Sequence, residues 1–127
     1  MKKIQDKSLG YELVKSIIQF LFPKFFRQTE IRGLENLPAD QPLIFAGNHQ
    51  NGVMDPLAII LYQKEPIVYM GRADIFQSRL NRVLLRFIKV TPVYRIRDGF
   101  ENLTKNDQQI KEAIDVLLEH KRLGVMP

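Results

Sequence analysis

The stretch Gly47-Asn48-His49-Gln50-Asn51-Gly52-Val53-Met54-Asp55-Pro56 decides how the chain is read. It follows a short apolar run, Leu43-Ile44-Phe45-Ala46, and leads into another, Leu57-Ala58-Ile59-Ile60-Leu61. The first run has the length and composition of a buried strand. Asp55 followed by Pro56 reads as a helix start, with Asp as N-cap and Pro at the first helical position, where its missing amide hydrogen costs nothing. A polar loop carrying the first histidine of the chain therefore joins a strand end to a helix start. Loops in that place, on a rigid scaffold, aim side chains into a cleft.

The residues of this loop suit a base and its orienter. A neutral imidazole takes a proton from a hydroxyl at neutral pH. An Asp at the other ring nitrogen fixes the tautomer and stabilises the imidazolium. His49 and Asp55 meet these roles if the loop turns back on itself, which Gly52 permits. A plainer reading stands beside this one: Asp55 caps the helix and His49 is an exposed loop residue.

Downstream, the helix runs to about Tyr62 and ends at Lys64-Glu65-Pro66. Ile67-Val68-Tyr69-Met70 is the next strand, ending at Gly71-Arg72. Asp74 is placed to cap a helix from about Ile75 to Ile88, with Leu80, Val83, Leu84 and Phe87 on one stripe. Val90 to Arg97 reads as a strand, and Pro92 puts it at an edge, a strand start or a bulge. Asp98-Gly99 marks a turn. Asn106 or Thr104 caps a final helix to about Lys121, with Ile110, Ile114, Leu117 and Leu118 on one face. Gly124 suits its C-cap, and Val125-Met126 open another strand.

Upstream, Gln28 to Arg32 alternates as a short strand closed by Gly33, and Leu34 to Pro42 is a turn-rich connector. The segment 1–27 is basic and then apolar. Val14, Ile17, Ile18, Leu21 and Phe22 fall at helical spacing, with Leu13 and Phe20 widening the stripe. The run is too short and too interrupted to span a bilayer, and no small-residue cleavage site follows it. Such a helix lies in a membrane interface or packs on the domain core. Residues 28–127 form the second part.

Strands alternating with helices give an α/β class with a mainly parallel sheet flanked by helices. The ligand cleft of such a sheet lies beyond the carboxyl ends of its strands. His49, Arg72, Arg95 and Arg97 fall at or just after predicted strand ends. One His and several Arg on one edge suit a phosphorylated, hydroxyl-bearing substrate, because a guanidinium matches phosphate bidentately. Any one of these Arg, taken alone, reads equally as a solvated surface charge.

Composition narrows the partners. The 127 residues suit one domain. Without Cys there is no disulfide framework or thiolate metal site, and two His, His49 and His120, make a multi-His metal site a poor reading. The formal charge of +5 and pI near 9.6 admit anionic membranes and anionic metabolites. No zinc-finger spacing, aromatic RNA-binding pattern or helix-turn-helix speaks for nucleic acid.

Several of these residues together resemble a known family. Asn48-His49 followed by Asp55, then Thr91-Pro92-Val93-Tyr94-Arg95, look like the first two signature blocks of the glycerolipid acyltransferases, the glycerol-3-phosphate and 1-acylglycerol-3-phosphate enzymes. Arg72-Ala73-Asp74-Ile75-Phe76 resembles the segment between those blocks, where a basic residue is usual. Leu123-Gly124-Val125-Met126-Pro127 looks like the approach to the third block, which in the family continues Pro-Glu-Gly. Five residues, Gln50 to Met54, separate His49 from Asp55, one more than the family's commoner spacing. The resemblance runs from about Gln28 to Pro127 and stops before the Glu-Gly, so it implies an incomplete acyltransferase domain whose sheet lacks strands.

By that resemblance His49 is the general base and Asp55 its orienter. Arg95 binds the acceptor phosphate, with Arg97 and then Arg72 as helpers. No metal or resident cofactor is implied. The co-substrate is an acyl thioester on coenzyme A or acyl carrier protein. The acceptor is a glycerol phosphate in or on a membrane, and the protein is expected to be monotopic or peripheral on the cytoplasmic face. The lysines Lys2, Lys3, Lys7, Lys15 and Lys24 are expected to face lipid headgroups. Two other readings remain: a non-catalytic membrane-surface module, and a hydrolase using the same His and Asp on water. The chain has no Gly-x-Ser-x-Gly elbow, which speaks against a serine hydrolase.

Overall fold

The computed structural model describes residues 3–48 and 50–125. Four strands, β1 (Leu43–Ala46), β2 (Ile67–Arg72), β3 (Val90–Val93) and β4 (Arg122–Val125), form one sheet in the order β1-β4-β2-β3. All three pairings are parallel. The helices are α1 (Leu9–Phe25), α2 (Met54–Leu61), α3 (Arg79–Phe87), α4 (Phe100–Leu103) and α5 (Lys105–Leu118). The fold is α/β, a parallel sheet flanked by helices, as the alternating pattern predicts. Parallel strands need long crossovers, and α2, α3 and the pair α4–α5 supply them, whereas α1 precedes the first strand.

The order places β4 between β1 and β2. After β3 the chain reverses across the sheet through α5 and inserts β4 between β1 and β2. Strand residues alternate between faces. Val68 and Leu123 pack with Ala113 and Val116 of α5, and Met70, Val125 and Leu117 join them. Ile67 and Tyr69 belong to the other face. Ile67, Val68, Leu61 and Val116 are almost wholly buried, and each such side chain contributes about 1.5–3 kcal/mol by leaving water.

The N-terminal segment ties the lower edge together. Ser8 caps α1, its hydroxyl accepting from the Tyr11 amide at 3.2 Å. Tyr11, Lys15 and Phe22 are buried. Lys15 donates to the carbonyl of Gln63 and Gln19 to that of Leu61. Lys89, in the left-handed region at φ 65°, donates to the carbonyls of Ile4 and Asp6 at 2.7 Å each. Burial lowers the pKa of Lys89, since desolvation disfavours its ammonium.

Several expectations are corrected. Gln28 to Arg32 forms no strand; all five residues are exposed, so the alternating pattern has no face buried against the sheet. Asp55 is not the N-cap of α2. Val53 holds that place, and the side chain of Asn51 does the capping, accepting from the amides of Val53 and Met54 at 3.2 Å. Asp74 does not cap α3; Ser78 does, accepting from the Asn81 amide at 3.0 Å. The strand expected from Val90 to Arg97 ends at Val93 and gives way to a 3-10 turn, Ile96–Asp98. Pro92 sits in β3 at the sheet edge, where no amide is needed.

Gly124 is not a helix C-cap. The left-handed residue that ends α5 is His120, φ 56°, and Gly124 lies inside β4. Leu80, Val83, Leu84 and Phe87 of α3 are all exposed, as are Ile110, Ile114 and Leu118 of α5. Lys15, expected to face lipid headgroups, is instead buried; Lys3 pairs with Glu119 and Lys7 with Glu65 at 2.7 Å, and both of these side chains remain more than half exposed. Lys2 lies outside the described residues.

Candidate active site

The carboxyl ends of the strands fall at Ala46, Val125, Arg72 and Val93, so the segments that follow β1, β2 and β3 share one edge. The loop after β1 is built around Asp55. Its Oδ2 accepts from the backbone amides of Gln50 at 2.7 Å and Asn51 at 2.8 Å. A carboxylate two residues into a helix therefore folds the preceding loop back over itself. His49 lies outside the described residues, so only its flanks are placed.

The second cluster stands after β2 and β3. Arg72, the last residue of β2, donates to Asp74 through Nε at 3.2 Å and Nη2 at 2.5 Å. Arg95 donates to Asp98 through its backbone amide at 2.7 Å, Nε at 3.3 Å and Nη2 at 3.4 Å. It also reaches Asp74 from Nη2 at 3.3 Å. The guanidinium of Arg72 holds the Asp74 carboxyl below the usual range. The backbone amide and then the side chain of Arg95 do the same for Asp98. Both are ionised at neutral pH.

The turn that carries Arg95 is pinned to α5. Asn106 accepts from the Tyr94 amide at 2.9 Å and donates to the Tyr94 carbonyl at 2.7 Å. Beneath it, buried Thr91 bonds to Gln109 and to Glu112, the latter at 3.3 Å. Arg97, on the same turn, is exposed and makes no ion pair among the described residues. Arg72 and Arg95 are thus brought together, and Arg97 stands beside them.

Asn51, Asp74, Asp98 and Asn106 were not singled out as site residues by their sequence. Arg72-x-Asp74 and Arg95-x-x-Asp98 were the available signals, but such spacings are common and gain meaning only when two strand ends meet. An open apolar groove of about 430 Å³ lies elsewhere, lined by Ile31, Leu34, Leu37, Phe45, Ile59 and Tyr62 among others. None of the candidate residues Asp55, Arg72, Arg95 and Arg97 lines it.

A family model described as Acyltransferase matches residues 28–127. This chain belongs to the acyltransferase family. No curated protein and no solved structure gives a significant match. The match covers the whole sheet, the Asp55 loop and the arginine cluster, and leaves α1 outside it. An acyltransferase moves an acyl group to an acceptor, and both clusters stand on the edge where a parallel sheet binds ligands. Among the described residues no helix is long and apolar enough to cross a membrane.

Proposed function

We propose that this acyltransferase transfers a fatty acyl group from a thioester, on coenzyme A or acyl carrier protein, to a hydroxyl of glycerol 3-phosphate or 1-acylglycerol 3-phosphate, as a step in phospholipid synthesis. His49 takes the hydroxyl proton, the oxygen attacks the thioester carbonyl, and the C–S bond breaks. The departing thiolate recovers the proton from the imidazolium. Asp55 orients His49. Arg95 holds the acceptor phosphate, with Arg72 and Arg97 beside it. The thioester is already activated, so the scheme uses no covalent enzyme intermediate.

The observation that carries this reading is the fold-back of the loop onto Asp55, on the same sheet edge as the Arg72–Arg95 pair. β1 and β2 flank β4, which separates them by about 10 Å. A glycerol phosphate laid across the end of β4 has its hydroxyl toward the loop and its phosphate toward the guanidiniums. General-base assistance of this kind is worth about 10²–10⁴ in rate.

The membrane part of the reading is supported by exposed apolar side chains. Leu9, Leu13, Ile17, Phe20 and Leu21 lie on the side of α1 turned away from Tyr11, Lys15 and Phe22, which face the domain. Segment 1–27 is then an interfacial element of a monotopic or peripheral protein on the cytoplasmic leaflet, where an acyl-bearing acceptor resides.

The deciding experiment is an assay with acyl-CoA and lysophosphatidate on the full-length protein. His49→Ala is expected to abolish transfer without loss of fold. Arg95→Ala is expected to raise the acceptor KM more than it lowers kcat, as for a contact made alike in ground and transition states. Retention of most activity by His49→Ala overturns the mechanism. An unchanged KM in Arg95→Ala moves the phosphate elsewhere.

A further inference from the structure

One carboxylate binds both arginines at the ends of β2 and β3. Asp74 Oδ2 accepts from Arg72 Nη2 at 2.5 Å and from Arg95 Nη2 at 3.3 Å. Two guanidiniums bonded to one oxygen can stand no farther apart than those two bonds laid end to end. Like charges at that range repel, and the shared carboxylate is what holds them together.

The way each fork is held leaves a usable edge. Asp74 grips Arg72 by Nε and Nη2, and Asp98 grips Arg95 by the same two atoms. Among the described residues neither Nη1 is engaged. A guanidinium has five N–H donors in a planar fork, so Arg72 keeps its Nη1–Nη2 side for a ligand, and Arg95, whose Nη2 serves both Asp98 and Asp74, keeps its two Nη1 donors. The side chains are reachable: Arg72 is 62% exposed and Asp74 32%.

We propose that Asp74 is a positioning residue that couples Arg72 to Arg95, making a two-guanidinium clamp for one phosphate group, with Arg72 as its second ligand. The inference rests on the phosphate role proposed for Arg95.

Charge alone and positioning give opposite signs. Removing a negative charge beside two arginines makes the site more positive and, by Coulomb attraction alone, tightens anion binding. If Asp74 positions the forks, its loss releases Arg72 to solvent and weakens binding instead. The probe is inorganic phosphate, titrated by phosphorus NMR at fixed salt into the intact chain. Asp74→Asn is expected to raise the phosphate Kd about tenfold. Asp74→Glu should restore part of it, and Arg72→Ala added to Asp74→Asn should weaken binding little further.

Unchanged or tighter binding in Asp74→Asn, with binding lost in Arg95→Ala, overturns the coupling and leaves the Arg95 reading standing. No weakening in Arg95→Ala overturns both. Should Asp74→Asn fail to fold, the cycle of Arg72→Ala, Arg95→Ala and their double variant decides: non-additive losses support the clamp, and independent ones overturn it.

Discussion

The phenol ring of Tyr69 fills the space that a side chain on Gly124 would occupy. The two residues pair across β2 and β4, and a β-carbon on Gly124 would stand 2.2 Å from a ring carbon. Tyr69 is 3% exposed, so its ring has nowhere to swing. Burial also pushes the Tyr69 phenol well above the ordinary tyrosine range, and pushes Tyr11 nearby up to about 12. Gly124→Ala is therefore expected to destabilise the domain by about 1–3 kcal/mol, the usual cost of overpacking. Urea denaturation measures it. Adding Tyr69→Leu should recover part of the loss, because the two changes share one space; simple additivity would contradict the packing.

The loop before α2 offers a separation of roles. Asp55 holds the amides of Gln50 and Asn51, whereas Asn51 caps the helix. Asp55→Ala is expected to speed amide exchange at Gln50 and Asn51 while α2 keeps its first turn. Asn51→Ala is expected to fray α2 at a cost of about 0.5–2 kcal/mol. In the acyl-transfer assay Asp55→Asn should be nearly as damaging as His49→Ala. Full activity in Asp55→Asn would remove Asp55 from the mechanism.

Acid should loosen the arginine cluster. The carboxyls of Asp74 and Asp98 are both depressed in the folded state, the first chiefly by Arg72 and the second by the amide and side chain of Arg95. Their stabilisation is thus fully present above the unfolded value, about 3.9. It is lost as pH falls through the lower, folded values. Carbon NMR titration of the Asp carboxyls should show both midpoints below that of a free Asp. Arg95→Ala should raise the Asp98 midpoint, and an unmoved midpoint would mean that the pairing does not persist in solution.

Membrane contact is best tested on exposed positions, since deleting α1 would also remove buried Tyr11 and Phe22. Leu13→Ser with Ile17→Ser on α1, and Leu80→Ser with Leu84→Ser on α3, change only exposed side chains. Each pair is expected to weaken sedimentation with anionic vesicles while leaving Tm nearly unchanged. Arg79, Arg82 and Arg86 line α3 with no acidic residue among them. Each contributes about 1 kcal/mol near an anionic surface, screened by salt. Binding indifferent to these changes, to anionic lipid and to salt would assign both faces to protein contacts.

The class of fold was legible in the sequence because parallel strands announce themselves as apolar runs, and Ile67 to Met70 and Leu43 to Ala46 are such runs; only the first is largely buried, whereas Leu43 to Ala46, expected to be buried, lies at the sheet edge and alternates between half-buried and exposed residues, Ile44 among the exposed. The family resemblance rested on short blocks around His49, Asp55 and Arg95, and the family match agrees with it at the level of acyl transfer. Local chemistry also placed the ends of α2 and β2 within a residue or two.

What the sequence could not settle were competitions between one side chain's possible partners. Asp55, Asp74 and Asn106 are all good helix caps by type, yet each bonds elsewhere: to a loop folded back, to two arginines, to the Tyr94 backbone. Gly124 resembles a helix stop until β4 is inserted between β1 and β2 and Tyr69 comes to rest against it. The same insertion sets which apolar stripes are covered, so Val116 is buried while Ile110 and Ile114 on the same helix are exposed. Periodicity marks an apolar face from residues a turn apart. Whether that face meets a sheet, and whether two strand ends bring Arg72 and Arg95 to one carboxylate, depends on contacts many residues apart that only the assembled sheet creates.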